Sequence, residues 1–287
     1  MKKSKPFCRV PLFSVGALCL GLLPQVVLGS AWTRPDDGLL ILVPVSYTYA
    51  NEAFDDNGHR LDRSRFEMVE FSPLFEYGLT DSFTVGMQPK YRVVSVETAD
   101  GTVHNSGLAE SDFFARQRLW SRNQAAISVQ GLVKVPIKPD ENDAAALGRD
   151  QVDAAIDLAY GNRHSVGAGR IFYSIDAGFR KRWEVPDDEI SANAFIGWSP
   201  GDSWSFILRA ANVWGVGNDV VDNTEINDAG DTDVLTAGPS FTRHDAQLMA
   251  SYKFRNTVSL VGGVSTTYAG ENVGVGKTAF LAMTLQF

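Results

Sequence analysis

Residues 31–287 of this chain contain no cysteine, because the two cysteines of the 287-residue sequence are Cys8 and Cys19. This part of the chain therefore forms no disulfide and no thiolate metal site. It also lacks any apolar run approaching the ~20 residues that a membrane-spanning helix requires. These absences exclude disulfide-stabilised scaffolds, thiolate metal proteins and helical membrane proteins.

Basic residues are scarce as well. The sequence holds 26 Lys and Arg against 34 Asp and Glu. Four of the basic residues precede residue 10, so 22 remain in residues 31–287 and the net charge there is -12. A chain this acidic has no overall basic surface for nucleic acid, and no nucleic-acid partner is expected.

The first thirty residues have the pattern of a secretory signal peptide. A basic start is followed by an apolar run from Val10 to Leu28 that prolines interrupt, and then by the small residues Gly29, Ser30 and Ala31. We predict a signal peptide at 1–30, cleaved within about two residues of that end. Residues 31–287 are predicted to form a single domain.

Alternation with a period of two residues dominates the rest of the chain. The stretch FTVGMQPKYRV places Phe83, Val85 and Met87 on one face and polar side chains on the other. Such alternation is typical of β-strands with one apolar face. Twelve runs of this kind occur, at 38–50, 64–77, 83–96, 110–120, 125–136, 151–160, 168–183, 189–198, 203–213, 241–254, 258–268 and 277–287. In the run 110–120 the facing is ambiguous, because Phe113 and Leu119 oppose Phe114 and Trp120.

The connectors between these runs alternate between short and long. Short turns such as GLTDS and SPGD alternate with polar loops at 51–63, 97–109, 137–150, 184–188, 214–240 and 269–276. Short periplasmic turns and longer extracellular loops are the organisation of outer-membrane barrels. We therefore predict an all-β fold, a transmembrane antiparallel up-and-down β-barrel of about twelve strands in the cell outer membrane. A secreted soluble β-sandwich is the alternative.

Aromatic residues cluster beside the predicted short turns. Rings with an amphipathic character favour the boundary between lipid and headgroups, so we expect contact with outer-membrane lipid and lipopolysaccharide. The predicted interface aromatics are Tyr77, Trp198, Trp204, Phe254 and Phe287.

The polar faces of the strands are expected to line the lumen. Their basic members would guide anionic or sugar-like solutes through a narrow channel. The alternative is a lumen packed with ion pairs and without a through-path, because buried charges need partners. The predicted lumen-lining basic residues are Lys90, Arg92, Lys134, Arg180, Arg182 and Arg209.

Loop 214–240 carries six acidic residues and no Lys or Arg. Its spacing fits no EF-hand pattern, so we predict neither a metal site nor a cofactor. The loop suggests a second function, a non-conducting surface or assembly barrel that binds a partner through its acidic extracellular loops. No His and Ser pair lies on one strand face, as a lipid-facing hydrolase requires, and the chain is not expected to be an enzyme.

The opening AWTRPDDGLLILVPVSYTYANEAFDDNGHR resembles the XagA-like family of outer-membrane barrels. That family begins with a similar Ala-Trp-Thr-x-Pro stretch and a Phe-Asp-x-x-Gly-like first loop, here Phe54, Asp55 and Gly58. The stretch FEYGLTDSFTVG is similar to the family's first periplasmic hairpin. The resemblance implies a porin-like barrel that is associated in some Gram-negative bacteria with exopolysaccharide and biofilm, and it supplies no catalytic residues.

The sequence stops on KTAFLAMTLQF, in the middle of an alternating pattern. We expect this closing strand to pair with the first strand near Leu39–Tyr49, so that neither edge stays exposed. It resembles the C-terminal signal, ending in Phe, by which the outer-membrane assembly machinery selects barrels. Deleting Phe287, or adding a charged tail after it, should therefore reduce the amount of assembled barrel far more than a change at one surface residue. The measurement is membrane-fractionated, heat-modifiable protein, and normal assembly of either variant contradicts the prediction.

Overall fold

The computed structural model describes residues 31–136, 145–148, 151–183, 188–216 and 241–287. No helix in this part of the chain is long and apolar enough to cross a membrane. The predicted signal peptide and residues 217–240 of the acidic loop lie outside the described residues. The strands are β1 (Leu39–Phe54), β2 (Arg60–Phe71), β3 (Leu74–Thr80), β4 (Phe83–Thr98), β5 (Gly101–Arg122), β6 (Ala125–Pro136), β7 (Asp153–Val166), β8 (Gly169–Arg182), β9 (Asp188–Ser199), β10 (Trp204–Val216), β11 (Thr242–Arg255), β12 (Val258–Glu271), β13 (Val273–Gly274) and β14 (Lys277–Gln286).

The sheet closes on itself through the first and last strands. β1 pairs antiparallel with β14, from Leu40 opposite Gln286 to Tyr49 opposite Lys277. β2 and β3 both pair with β1 and β4 and form one barrel strand, which is broken at Ser72 and Pro73. Proline has no N–H to donate to a neighbouring strand, so it interrupts the ladder there. With the two-residue β13 set aside, twelve strands close the barrel, which confirms the predicted fold class.

Apolar side chains cover the outside of the barrel. On β14, Leu281 and Met283 are exposed, whereas Phe280, Ala282 and Thr284 are buried inside. Exposed Val, Leu, Ile and aromatic side chains recur on the other strands. A water-soluble sandwich would bury these faces, so this inversion identifies a membrane-spanning barrel.

Two connectors that the sequence predicts as long loops are largely strand. Residues 97–109 form the ends of β4 and β5, joined by a tight turn at Ala99 and Asp100. Residues 51–63 likewise extend β1 and β2 to a short turn at 55–59. Polar side chains on both faces hide these extensions from a search for hydrophobic alternation. The backbone ladder continues nevertheless, because its hydrogen bonds do not depend on side-chain polarity.

A β-bulge resolves the ambiguous facing of the strand at 110–120. Arg118 lies opposite Ser128, and Trp120 lies opposite Ile127, so Leu119 is the extra residue. Before the bulge Phe114 points inward, and after it Leu119 and Trp120 are both exposed. An extra residue in one strand re-aims the side chains that follow it.

An apolar layer crosses the lumen. On β5 it separates Arg116 from Asp112, and on β6 it separates Gln130 from Lys134, because Phe114 and Leu132 lie between them. Its buried members are Leu42, Leu74, Phe114, Leu132, Phe172, Ile207, Met249, Val261, Phe280 and Ala282. The barrel interior is therefore not a uniformly polar channel.

The layer depends on close contact between rings and glycines. A Cβ added at Gly86 would lie 2.2 Å from Phe114 Cζ and 2.6 Å from the carbonyl oxygen of Phe75. Only glycine leaves room for the ring at this position.

Gly86→Ala should accordingly lower the free energy of unfolding by about 1–3 kcal/mol, as overpacking does in other cores. Urea titration measures it, with the folded barrel scored by its mobility on unheated SDS gels. Gly131→Ala is the matched control, since a Cβ at Gly131 meets nothing within 4 Å. Both variants stiffen the unfolded chain alike, so equal stability of the two would contradict the prediction.

Candidate functional site: the barrel lumen

Residues 31–38, the N-terminal segment, enter the lumen at the end that carries the short turns. In outer-membrane barrels this is the periplasmic end. Ser128 Oγ donates a hydrogen bond to the carbonyl oxygen of Ala31 at 2.6 Å, and Thr33 Oγ1 donates to that of Asp81 at 2.6 Å. The backbone N–H of Arg34 donates to Thr84 Oγ1 at 2.8 Å. Hydrogen bonds to β4, to β6 and to the turn at Asp81 hold the segment inside the barrel.

Trp32 anchors the same segment against the barrel wall. A Cβ at Gly161 would lie 2.6 Å from the indole, so the ring packs directly on the backbone of β7. The guanidinium of Arg163 lies over the Trp32 ring, 4.5 Å from its centroid. A cation over an indole face is attractive, and the contact holds the N-terminal segment against β7.

A buried group of three charges lies beside the N-terminal segment. Arg34 Nε contacts Glu76 Oε2 at 2.6 Å, and Arg116 Nη2 contacts Glu76 Oε1 at 3.2 Å. Arg116 Nη1 also donates to the carbonyl oxygen of Trp32 at 3.2 Å. All three charged side chains are at most 5 % exposed. A buried charge without a partner is costly, so Glu76 links the segment to the wall electrostatically.

Above the apolar layer, toward the long loops, Lys90 and Arg92 share acidic partners. Lys90 Nζ lies 3.1 Å from Glu110 and 3.0 Å from Asp112. Arg92 contacts Glu70 at 2.8 Å and Glu110 at 2.7 Å. The positive charges of Lys90 and Arg92 are thus neutralised by neighbouring carboxylates.

Lys134, Arg180 and Arg182 converge on a second acidic pair. Lys134 Nζ lies 3.0 Å from Asp153, and Arg180 lies 3.4 Å from both Asp153 and Glu189. Arg182 contacts the same two carboxylates. Asp153 is fully buried, which is tolerable only because three cations surround it.

Arg209 differs from the other five predicted lumen residues. It is buried, and among the described residues no carboxylate lies within ion-pair distance and its Nη2 has no hydrogen-bond partner. Asp176 and Asp245 attract it electrostatically. Asp176 instead accepts a hydrogen bond from Asn193 Nδ2 at 2.6 Å. The structure therefore does not bring all six basic residues into one stripe.

Two adjoining cavities occupy the lumen on the long-loop side of the apolar layer. The outer cavity has a volume of about 290 Å³ and includes Phe66, Gln151 and Phe241 in its lining. The inner cavity has a volume of about 240 Å³ and includes Glu70, Lys90 and Asp157. Their linings share Met68, Arg92, Glu110, Arg182, Glu189 and Arg243.

Charge is balanced around these cavities. Their basic lining residues are Lys90, Arg92, Lys134, Arg180, Arg182 and Arg243, and their acidic ones are Glu70, Glu110, Asp112, Asp157, Glu189 and Asp245. Each of the basic residues lies within ion-pair distance of a carboxylate. The lining is therefore a network of ion pairs, and its net electrostatic field is weak.

Sequence reasoning missed several residues that form this site. Glu110 and Glu189 are the first residues of the predicted strands 110–120 and 189–198 and are not among the predicted lumen residues, although Glu110 has the same strand parity as Asp112 and Arg116. Residues 145–148 of the predicted loop 137–150 enter the lumen, where Arg92 Nη1 donates to the carbonyl oxygen of Leu147 at 2.7 Å. Alternation predicts that Glu110 faces the lumen, whereas no local sequence pattern predicts that Leu147 enters it.

The predicted interface aromatics lie on the outside of the barrel. Tyr77, Trp198, Trp204, Phe254 and Phe287 are all exposed. Within two residues of a short turn or of the chain end lie Trp198, Trp204, Phe254 and Phe287. The ring of Trp204 stacks parallel to that of Phe206, with centroids 6.0 Å apart. Tyr77 Oη donates to Asp37 Oδ1 at 2.6 Å. Their rings form a girdle at the short-turn end.

The four histidines make different contacts. His244 Nδ1 is hydrogen bonded to Asn212 Oδ1 at 2.8 Å, and His59 lies beside Asp55. His104 and His164, which the sequence places in a loop and a turn, lie on β5 and β7. The expectation that no His and Ser share one strand face is wrong for His104 and Ser106, which are both exposed on the same face of β5. Among the described residues no three His, Cys, Asp or Glu side chains form a group that could hold a metal ion.

Glu76→Gln should release the N-terminal segment, because Arg34 and Arg116 lose the carboxylate between them. A maleimide probe tests this in a Thr33→Cys background, since Thr33 is buried and residues 31–287 hold no other cysteine. We expect labelling to accelerate at least about tenfold, since breaking a buried pair costs about 3–5 kcal/mol. Glu97→Gln is the control, because Glu97 pairs with Arg65 in exposed positions. Equal labelling rates in the two variants would refute the role of Glu76.

No protein-family model and no curated protein sequence matches this chain. Among solved structures, an outer membrane channel from Pseudomonas putida F1 aligns with a TM-score of 0.70 and 16% identity, covering 92% of this chain and 100% of that chain. The β domain of a Bordetella autotransporter (TM-score 0.49, 9% identity, 88% and 100% coverage) and the NanC porin (0.48, 6%, 85% and 98%) align less well. No comparison supports the specific likeness to XagA-like barrels. The first alignment shows that this chain has the fold of an outer-membrane barrel.

Proposed function

We propose that this protein is an outer-membrane channel for small hydrophilic solutes. The observation that carries the proposal is the pair of adjoining polar cavities inside a closed twelve-stranded barrel. Barrels of eight strands are filled by their own side chains, and barrels of sixteen leave an open channel. Twelve strands leave a lumen in which small internal elements decide whether a path exists.

The N-terminal segment is the element that closes this path. It lies below the apolar layer and is attached by hydrogen bonds to the turn at Asp81, to Thr84 and to Ser128. Movement of this segment away from the wall would connect the cavities with the periplasmic side. Passage is therefore gated in this proposal.

Solute selection would rest on size and hydrogen bonding more than on charge. Lys90, Arg92, Lys134, Arg180 and Arg182 remain the proposed lumen-lining basic residues, but each is paired with a carboxylate. Paired charges give a weak net field, so they attract anions less than an unpaired basic stripe would. Of the six predicted lumen-lining residues, Arg209 is the one without a carboxylate at ion-pair distance among the described residues.

The finer partners also belong to this proposal. The exposed aromatic girdle suits outer-membrane lipid and lipopolysaccharide, and the outer-membrane assembly machinery would insert the barrel. Exopolysaccharide, which the XagA-like resemblance implies, would pass only as short pieces, because the larger cavity measures about 290 Å³. Export by a signal peptide at 1–30 completes this outer-membrane assignment.

A non-conducting surface or assembly barrel is the second candidate. The observation that favours it is the filling of the lumen by the apolar layer and the N-terminal segment. Its proposed acidic binding loop, 214–240, lies mostly outside the described residues.

Single-channel conductance in planar bilayers separates the two candidates. Thr33→Cys/Asp81→Cys provides a reversible tether, since Thr33 Oγ1 lies 2.6 Å from the carbonyl oxygen of Asp81. We expect conductance steps under reducing conditions and their loss after oxidation, with the cross-link verified by mass. The Thr33→Cys single variant, treated with the same oxidant, should keep conducting. Repeated absence of steps in reduced, folded protein would support the non-conducting barrel instead.

A further inference from the structure

Gln151 presents an unsatisfied amide to the outer cavity. The residue precedes β7 and is only 5% exposed. Neither its Nε2 nor its Oε1 has a hydrogen-bond partner among the described residues. Buried amides are nearly always paired, so a group of this kind on a cavity wall indicates a partner that enters the cavity.

The outer cavity has two different walls. Phe66, Met68, Val94, Leu147 and Val273 line the side formed by β2, β4, β13 and the inserted loop. A polar wall is formed by residues on or beside β6, β7, β8, β9 and β11, namely Lys134, Gln151, Arg182, Glu189, Arg243 and Asp245, and the ion pair of Arg92 and Glu110 lies beside the apolar wall. A ligand that fits both walls has an apolar face and a hydrogen-bonding edge.

The polar wall favours an uncharged ligand. Lys134 lies 3.0 Å from Asp153, and Arg243 lies 3.0 Å from Asp245, so the charges are already paired. An ionic ligand would have to break one of these pairs, and breaking a buried pair is costly. Gln151 instead offers one acceptor and two donors at no such cost.

Hydroxyl groups match this requirement, because each can donate and accept. Pyranose rings carry hydroxyls around an edge and C–H groups on a face. The cavity volume of about 290 Å³ lies just below the range of drug-sized ligand pockets, about 300–1,000 Å³. One sugar unit is thus a better match than a chain.

We infer that the outer cavity is a binding site for an uncharged, hydroxyl-rich solute of monosaccharide size, with Gln151 as its specificity-determining residue. The inference rests on the proposed channel function, since it names the solute class that would pause in the lumen. The amide of Gln151 bridges two hydroxyls, and the apolar wall packs against the face of the ring.

Saturation-transfer NMR titrations on folded, detergent-solubilised protein test the site with glucose, glucuronate and glucosamine. We expect glucose to bind more tightly than either charged sugar. Gln151→Leu should weaken glucose binding about tenfold, the effect of losing one or two net hydrogen bonds. Heat-modifiable mobility on SDS gels verifies that each variant is folded.

Gln247→Leu is the matched control. Gln247 also has an amide oxygen without a partner, but it lies in the lining of neither cavity. Its substitution should leave the affinity for glucose unchanged. Three results would overturn the inference: no glucose binding by the folded wild type, tighter binding of a charged sugar, or equal losses in the two variants.

Conductance of the same preparations keeps the two proposals apart. Current steps without glucose binding would support the proposed channel function and refute the proposed binding site. Glucose binding that depends on Gln151, without current steps, would support the proposed binding site and refute the proposed channel function.

Discussion

The structure depends on the pairing of most of the charges that turn into the lumen. Strand alternation sends polar side chains to the inside of a membrane barrel, and many of them are ionisable. Asp153 is fully buried and is surrounded by Lys134, Arg180 and Arg182. Glu76 in the same way holds Arg34 and Arg116. Because unpaired charges are so costly inside, these pairs tie neighbouring strands together along the lumen wall and fix where the N-terminal segment lies.

The same requirement divides the lumen into levels with different chemistry. At the short-turn end the N-terminal segment fills the barrel and is fixed by Glu76 and by Trp32 on Gly161. An apolar layer follows, and beyond it two cavities with paired charges open toward the long loops. In the proposed channel, a solute entering from outside would therefore meet hydrogen-bonding groups first, then the apolar layer and last the N-terminal segment.

Most of the architecture could be predicted from the sequence, and the errors have physical causes. All twelve alternating runs are strands, because the period-two pattern directly reflects which side faces lipid. Residues 97–109 were misassigned as a loop, since strands that extend beyond the membrane carry polar residues on both faces. The choice of Lys90, Arg92, Lys134, Arg180 and Arg182 as inward-facing residues followed from parity. Their pairing with Glu110 and Glu189 did not, because the register between neighbouring strands, which alternation leaves open, decides which side chains lie next to each other.

The sequence by itself determined the all-β class, the number of spanning strands and the side of each strand that faces outward. These properties are local, since alternation is written into consecutive residues. The tertiary structure alone decided that the N-terminal segment lies in the lumen, that Lys90, Arg92, Lys134, Arg180 and Arg182 are paired, and that Gln151 faces a cavity without a partner among the described residues. Closure brings β1 beside β14 and folds residues 31–38 and 145–148 into the interior. Such contacts between distant residues leave no periodic trace in the chain.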